Sequence, residues 1–184
     1  MTVLKFVKLS FFSLLFLFSL NSFSQFSKTH YIPPIASTGS GPAAPLDQYL
    51  YISTPNTIPF DVTITPIGGT PETVSVSNNT PYAYNIGTNS NSNLIALTSN
   101  SGEKFTDKGF IVEADDLVYV SARLFSGGYY QAGSLVSKGL AGLGKTFRVG
   151  TFENEGSLGN SQSNYVNFVS VLATQDNTTV NFSE

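Results

Sequence analysis

The sequence contains no cysteine and no tryptophan, and it has one histidine and one methionine among 184 residues. Without cysteine, neither disulfide bonds nor thiolate-bound metals can stabilise the fold, so a hydrophobic core has to do so. The single histidine, His30, cannot by itself form a catalytic triad or a histidine metal site. Because it lies in a proline-rich stretch, we expect its side chain to be exposed to solvent.

Charged residues are also few, at 11% of the chain, and acidic residues outnumber basic ones. Nucleic-acid binding requires clustered lysine and arginine, so we expect no nucleic-acid partner. Hydrophobic residues make up 41% of the chain and aromatic residues 13%. This composition is typical of a folded protein rather than of a disordered one.

The first 24 residues have the layout of a secretory signal peptide. Lys5 and Lys8 precede the apolar run LSFFSLLFLFSL, and small residues follow at Ser22 and Ser24. The apolar run is shorter than the roughly 20 residues that cross a bilayer, and an uncleaved anchor is the alternative. We expect cleavage before Gln25 and export to the cell surface or medium. The remaining 160 residues have a net charge of −5 and contain no apolar run that could span a membrane.

The mature chain shows strand periodicity and no helical pattern. In PFDVTIT, Phe60, Val62 and Ile64 alternate with polar residues, which is typical of a half-buried strand. Further strands are predicted at QYLYIS, TVSVS, NLIALTS, GFIVEA, LVYVSARL, SLVSK, TFRVGTF, YVNFVSVLA and TTVNFS. We predict an all-β fold, an antiparallel β-sandwich, with a propeller-like repeat of short strands as the alternative.

The predicted organisation has four parts. Residues 1–24 are the signal peptide, and residues 25–47 form an extended lead-in whose prolines and glycines exclude a helix. Residues 48–163 form a β-domain. Residues 164–184 resemble the start of that domain, since both segments place an aromatic-rich strand before a polar turn and a second strand. We therefore expect a second β-repeat to begin there, in a chain that is a fragment of a longer protein.

One stretch matches the phosphate-binding loop letter for letter: Gly139, four residues, then Gly144, Lys145 and Thr146. Such a loop binds phosphate because a strand enters it and a helix leaves it. After Thr146, however, apolar residues alternate with Arg148 and Gly150 as they do in a strand. We predict a glycine-rich turn feeding a strand, and no nucleotide binding.

Two acidic groups are candidate catalytic or metal sites. If the strand runs through, Glu113 and Asp115 share one face near Asp116, where a calcium ion could bind. Glu153 and Glu155 are a candidate carboxylate pair for glycoside hydrolysis. Neither group has regular ligand spacing or an apolar pocket around it. We interpret both as solvated charge and predict no catalytic residue, no metal and no cofactor.

An aromatic cluster is the candidate binding site. Phe125, Tyr129 and Tyr130 flank the glycine pair 127–128, and tyrosines on a glycine-hinged loop can stack on sugars or anchor a protein partner. The alternative is that these rings close the end of the sandwich.

The order of segments resembles the N-terminal region of large surface proteins of Bacteroidota. The resemblance covers essentially the mature chain and rests on the strand segments KGFIVEADDLVYVSARL and QAGSLVSKGLAGLGKTFRVGTF. This region is similar to the IgGFc-binding protein N-terminal domain family, in which the elements at Lys108 to Val120 and at Leu143 to Gly150 recur as β-segments. Proteins of this kind typically use the type IX secretion route and often end in a gliding-motility-associated sorting domain, which this sequence lacks.

The resemblance implies an extracellular, non-enzymatic module of adhesin type that contacts an extracellular protein or glycan. It supplies no ligand and no catalytic residue, and antibody binding does not follow from the family name. The alternative is a carbohydrate-binding accessory module of a secreted polysaccharide-degrading enzyme. A third reading is a structural stalk or cap without a ligand.

Overall fold

A computed structural model describes residues 25–41, 43–88, 90–127, 132–150 and 168–183. Within these ranges the chain forms nine β-strands and two single 3-10 turns, Thr98–Asn100 and Gly139–Gly142. The strands are β1 (Phe26–Ile32), β2 (Ile35–Ser37), β3 (Pro45–Ser53), β4 (Phe60–Pro66), β5 (Glu72–Val76), β6 (Tyr82–Gly87), β7 (Ile95–Leu97), β8 (Phe110–Ser126) and β9 (Ala132–Val136). The predicted signal peptide lies outside the described residues.

The 17-residue strand β8 organises the main sheet, which has seven strands. The first part of β8 pairs with β1 along one edge and with β4 along the other. Its last part pairs with β9 along the edge used by β1 and with β3 along the edge used by β4. β5 continues the sheet beyond β4, and β6 continues it beyond β3. All of these pairings are antiparallel.

The core follows the alternation of β8. Its even-numbered residues point inward along nearly the whole strand: Phe110, Val112, Val118, Val120, Ala122 and Leu124 are all buried. They form one cluster with buried residues of β3 and β4, such as Leu50 and Ile64. Because residues from both parts of the sheet meet in a single cluster, the sheet curves around its own core.

Two contacts nearly close this curve. The Tyr82 hydroxyl of β6 donates a hydrogen bond of 2.9 Å to Glu72 Oε1 of β5. The ring of Tyr84 meets the edge of Phe110 with centroids 6.0 Å apart. A second, two-stranded parallel sheet of β2 and β7 brings Ile95, together with the adjacent Leu94, into the same core.

The predicted all-β class is confirmed, and the main sheet is antiparallel. In place of the two face-to-face sheets of the predicted sandwich, the described residues form one main sheet that is nearly closed into a barrel-like shape, with the small parallel sheet of β2 and β7 beside it. In the described ranges one curved sheet organised by β8 takes the place of repeated blades, so the propeller-like alternative is not followed. Among the described residues, no helix has the length and apolar character needed to cross a membrane.

Several strand predictions need correction. GFIVEA and LVYVSARL belong to one strand, β8, and β6 was not predicted. Residues 146–150 are irregular and exposed instead of forming the predicted strand TFRVGTF. Residues 168–183, expected in two strands, contain none. Their alternation is genuine, but a strand needs a neighbour for its backbone hydrogen bonds, and these residues have no strand partner within the described part of the chain. That a second repeat begins at residue 164 stays a prediction.

The described residues between 25 and 47 include extended strands, as predicted, but these strands are part of the two sheets and not of a free lead-in. β1 lies along β8, and β2 and the start of β3 follow. The expected exposure of His30 is wrong, because the imidazole is fully buried beneath β1. Proline-rich flanks excluded a helix here but did not exclude a strand that ends just before Pro33.

Candidate binding surface

Of the three aromatic residues predicted to contact a ligand, Phe125 lies in the described part of the chain, whereas Tyr129 and Tyr130 lie outside it. Phe125 is near the end of β8 and is 45% exposed. Its register partners are Asp47 on β3 and Ala132 on β9. It therefore stands on the outward side of the sheet and not in the core.

The same outward side carries further aromatic residues. Inward Leu50 and Ile52 alternate on β3 with outward Tyr49 and Tyr51, and Tyr51 is 39% exposed. Tyr49 is the register partner of Arg123, and Tyr51 is the register partner of Ser121.

These side chains contact one another. The rings of Tyr49 and Tyr51 lie 5.8 Å apart between centroids, tilted by 38°. The guanidinium carbon of Arg123 lies 5.1 Å from the centroid of the Tyr51 ring, within the range of a cation–π interaction. Stacking restricts the side-chain freedom of these groups before any ligand arrives.

The aromatic stripe continues onto β1. Tyr119, two residues before Ser121 on β8, has its ring centroid 6.1 Å from that of Phe26. By register, Tyr119 is a diagonal neighbour of Tyr51 on the same side of the sheet, a separation within reach of aromatic side chains. We call this surface the outer aromatic face; it consists of Phe26, Tyr49, Tyr51, Tyr119, Arg123 and Phe125.

Sequence reasoning found one member of the outer aromatic face and missed the others. QYLYIS was recognised as a strand, and its alternation already placed Tyr49 and Tyr51 opposite Leu50 and Ile52. A tyrosine pair on the polar side of an amphipathic strand is therefore a usable signal. That Arg123 and Phe125 lie beside them depends on the pairing of β3 with β8, about 70 residues apart in sequence.

The one histidine is held in a closed polar cluster. Nε2 of His30 lies 2.9 Å from Val118 O and 3.2 Å from Ser27 O, and Nδ1 lies 2.9 Å from Ser137 Oγ. Carbonyl oxygens only accept, so Nε2 carries the proton and Nδ1 accepts from the Ser137 hydroxyl. Burial lowers the pKa of His30, and the two carbonyls partly oppose that shift. A buried serine and histidine with all positions engaged present no nucleophile to a substrate.

The first residue of the phosphate-loop match, Gly139, lies beside this histidine cluster. Gly139 begins a 3-10 turn, and its backbone N–H donates to Ser137 Oγ over 3.2 Å. A side chain at Gly139 would overlap Ser27. Gly144, Lys145 and Thr146 follow in an exposed, irregular segment, and residues 147–150 do not form the helix that a phosphate loop needs. Gly139 thus serves close packing.

Of the acidic candidates, Glu113 and Asp115 both project outward, as predicted for a continuous strand. Asp116 instead links β8 to the loop after β3: Oδ1 accepts from the Leu117 N–H and Oδ2 accepts from Asn56 Nδ2, at 2.8 and 2.9 Å. These two hydrogen bonds, the backbone one first, lower the pKa of Asp116. No group of three acidic or histidine side chains within the described ranges is arranged to hold a metal ion. Glu153 and Glu155 lie outside those ranges.

Lys108 lies two residues before β8, and it is buried. Its ammonium donates to Asn91 O, Asn91 Oδ1 and Ser92 O, at 3.0, 3.0 and 2.8 Å. These three bonds use the full donor capacity of the ammonium group. Lys108 therefore fixes the loop before β7.

A groove of about 430 Å³ lies between β9 and the segment Pro33–Ala36, with Phe168 and Ser170 at its rim. None of its described lining residues is ionisable. The described lining residues are apolar or small, so none of their side chains could act as an acid or a base in catalysis.

Comparison with known proteins yields no match to any protein-family model and none to a curated protein. Among solved structures, the crystal structure of Thermotoga maritima 1070 is similar at 11% identity and a TM-score of 0.36. That alignment covers 60% of this chain and 92% of the other. A likeness this distant carries no argument about fold or function.

Proposed function

We propose that this chain is a non-catalytic binding module of an exported, adhesin-type surface protein, and that the outer aromatic face is its contact surface. The observation that carries the proposal is the exposure of Tyr51 and Phe125 beside an arginine on one side of a sheet. Aromatic residues and arginine are enriched in recognition surfaces: aromatic rings bury much area for little loss of side-chain entropy, and arginine adds directional hydrogen-bond donors.

A role without catalysis is supported by the place of the single histidine. His30 is the residue most suited to proton transfer near neutral pH, and it is enclosed by Ser27, Val118 and Ser137. The buried imidazole of His30 joins β1, β8 and the turn after β9 through its hydrogen bonds.

Export is proposed from the signal-peptide layout of residues 1–24. The exported chain then begins at Gln25, one residue before β1. N-terminal sequencing of the exported protein is expected to read QFSKTH, and an intact N-terminal methionine on that protein would contradict the assignment.

Binding through the outer aromatic face is tested with the exported chain on arrays of extracellular proteins and of glycans. Tyr51→Ala and Phe125→Ala are each expected to weaken binding about tenfold or more, because central aromatic contacts dominate binding free energies. Ile58→Ala is the matched control, since Ile58 is a 72% exposed apolar residue in the loop after β3 and is not a member of the outer aromatic face.

Both aromatic variants should stay folded with only a small fall in thermal midpoint, because the side chains lie outside the core and lose only surface contacts. Absence of binding to every protein and glycan tested, or equal loss of binding in Ile58→Ala, would show the proposal to be wrong. The alternative of an accessory module beside a polysaccharide-degrading enzyme uses the same surface for sugar stacking. A hydrolase domain elsewhere in the same gene would favour it.

A further inference from the structure

Arg123 is placed unusually for a surface arginine. Its guanidinium leans along β8 over Tyr51, the register partner of Ser121. The nearest carboxylate by register is Asp47, which pairs with Phe125 in the opposite direction along the strand. Within the described residues, the contact made by the Arg123 guanidinium is with an aromatic ring and not with a carboxylate.

This arrangement leaves the donors of the guanidinium available. The guanidinium carbon of Arg123 lies 5.1 Å from the centroid of the Tyr51 ring, and a cation–π contact uses none of the five N–H donors. These donors form a planar fork that matches the two oxygens of a carboxylate. Beside the Tyr51 ring, Arg123 therefore presents its donors to a carboxylate that no residue in the described ranges supplies.

The surroundings of Arg123 favour a ligand rich in hydroxyl groups. Short polar side chains border the aromatic rings, with Ser53, Asn85 and Ser134 all exposed and pointing outward on the neighbouring register positions. Asn85 Oδ1 already accepts from the Gly87 N–H, which leaves its Nδ2 as a donor. An apolar protein partner would leave these groups unpaired, whereas sugar hydroxyls would pair with them.

We propose that the outer aromatic face binds an acidic glycan, with Arg123 taking a uronate carboxylate and Tyr49, Tyr51 and Phe125 stacking on sugar rings. The inference rests on the proposed function and names the ligand class of the same surface. From Tyr119 to Phe125 the stripe extends six residues along β8, or about 20 Å at about 3.3 Å per residue. An extended polymer chain fits this shape better than a single sugar does.

The test measures binding of the full exported chain to polygalacturonate and alginate, each compared with its carboxyl-esterified form. The unchanged protein is expected to bind at least one acid form tenfold or more tightly than its ester, with binding weakened by salt. Arg123→Gln should abolish the preference for the acid form. The separate variant Arg123→Lys should keep only part of that preference. Arg148→Gln is the control, because Arg148 is exposed in the irregular segment after residue 144.

The outcomes separate this inference from the proposed function. Equal binding of acid and ester forms, no binding of either polymer, or an unchanged preference in Arg123→Gln overturns the acidic-glycan inference. If Tyr51→Ala still removes binding to a protein or to a neutral glycan in those cases, the proposed function stands. If Tyr51→Ala and Phe125→Ala bind every ligand as the unchanged protein does, both fail.

Discussion

At the residue scale, His30 illustrates how a polar group becomes part of a core. Its ring joins the backbone of β1 and β8 to the hydroxyl of Ser137, which lies 107 positions later in the sequence. Nε2 of the neutral ring donates to Val118 O over 2.9 Å and to the more distant Ser27 O over 3.2 Å, and Nδ1 accepts from the Ser137 hydroxyl. A buried polar group that is fully paired costs little, but it becomes expensive when one partner is removed.

The burial of His30 predicts a pH dependence of stability. Its pKa in the folded chain lies below the ordinary value of about 6.5, so the unfolded chain binds more protons between these two values. The stabilisation is complete above about pH 6.5 and declines as the pH falls towards the folded pKa. The free energy of unfolding should drop by up to about 1.4 kcal/mol per pH unit in that window, as measured by urea denaturation.

Because the chain has a single histidine, His30→Gln tests this assignment directly. At pH 7 the variant should lose about 1–3 kcal/mol, because the hydrogen bonds of the imidazole ring are lost. Its stability should vary less as the pH falls below 6.5. Ser137→Ala is the companion variant; it should be less stable but keep the pH dependence. An unchanged pH dependence in His30→Gln would rule out His30 as its source.

At the scale of elements, β8 decides the architecture. The acidic stretch Ala114–Asp116 predicted a break between two strands, yet the backbone continues through it. Lys28 Nζ donates to Asp115 O over 2.5 Å, and the Thr54 hydroxyl donates to Leu117 O over 2.8 Å. Side chains from β1 and from the loop after β3 thus satisfy carbonyls where strand pairing is interrupted.

The start of β8 depends on Gly109, which has a φ of +100° and would place a Cβ 2.8 Å from Ile32 O. Gly109→Ala is expected to destabilise the protein by about 2–4 kcal/mol, combining dihedral strain with the overlap against β1. Gly102 is the matched control, since it has a φ of +87° and open space around it. Gly102→Ala should cost only the strain, about 1–2 kcal/mol.

Thermal or urea unfolding of the two glycine variants separates these contributions. Equal losses for Gly102→Ala and Gly109→Ala would mean that the close approach of β1 to residue 109 does not matter. A larger loss at Gly109 supports the packing of β1 against the start of β8.

At the scale of the whole molecule, curvature of one sheet separates an inner apolar side from an outer side on which the aromatic face lies. Glu72 and Tyr82 join β5 to β6, and this hydrogen bond to a carboxylate raises the pKa of the Tyr82 phenol. The curve leaves the outer sides of β3 and β8 open to solvent. The outer aromatic face is therefore a consequence of the same folding that buries Leu50 and Val120.

The sequence predicted much of the fold and little of the binding surface. Alternation around Val62 and Ile64 correctly located β4. The sequence has no helical pattern, and the helices in the described ranges are two single 3-10 turns. The same alternation predicted strands at residues 146–150 and 168–183, where none forms. Periodicity records which side of a segment is apolar but not whether a neighbouring strand is available.

By itself, the sequence determined the all-β class, the inward and outward sides of β4, and the lack of disulfides, because these depend on residue identity and short spacing. Only the tertiary structure decided that β1 belongs to the sheet, that His30 is buried against Val118 and Ser137, and that Arg123 stacks on Tyr51. Each of these depends on strands distant in sequence becoming neighbours. Register across such distances is set by the packing of the whole core, which no local pattern encodes.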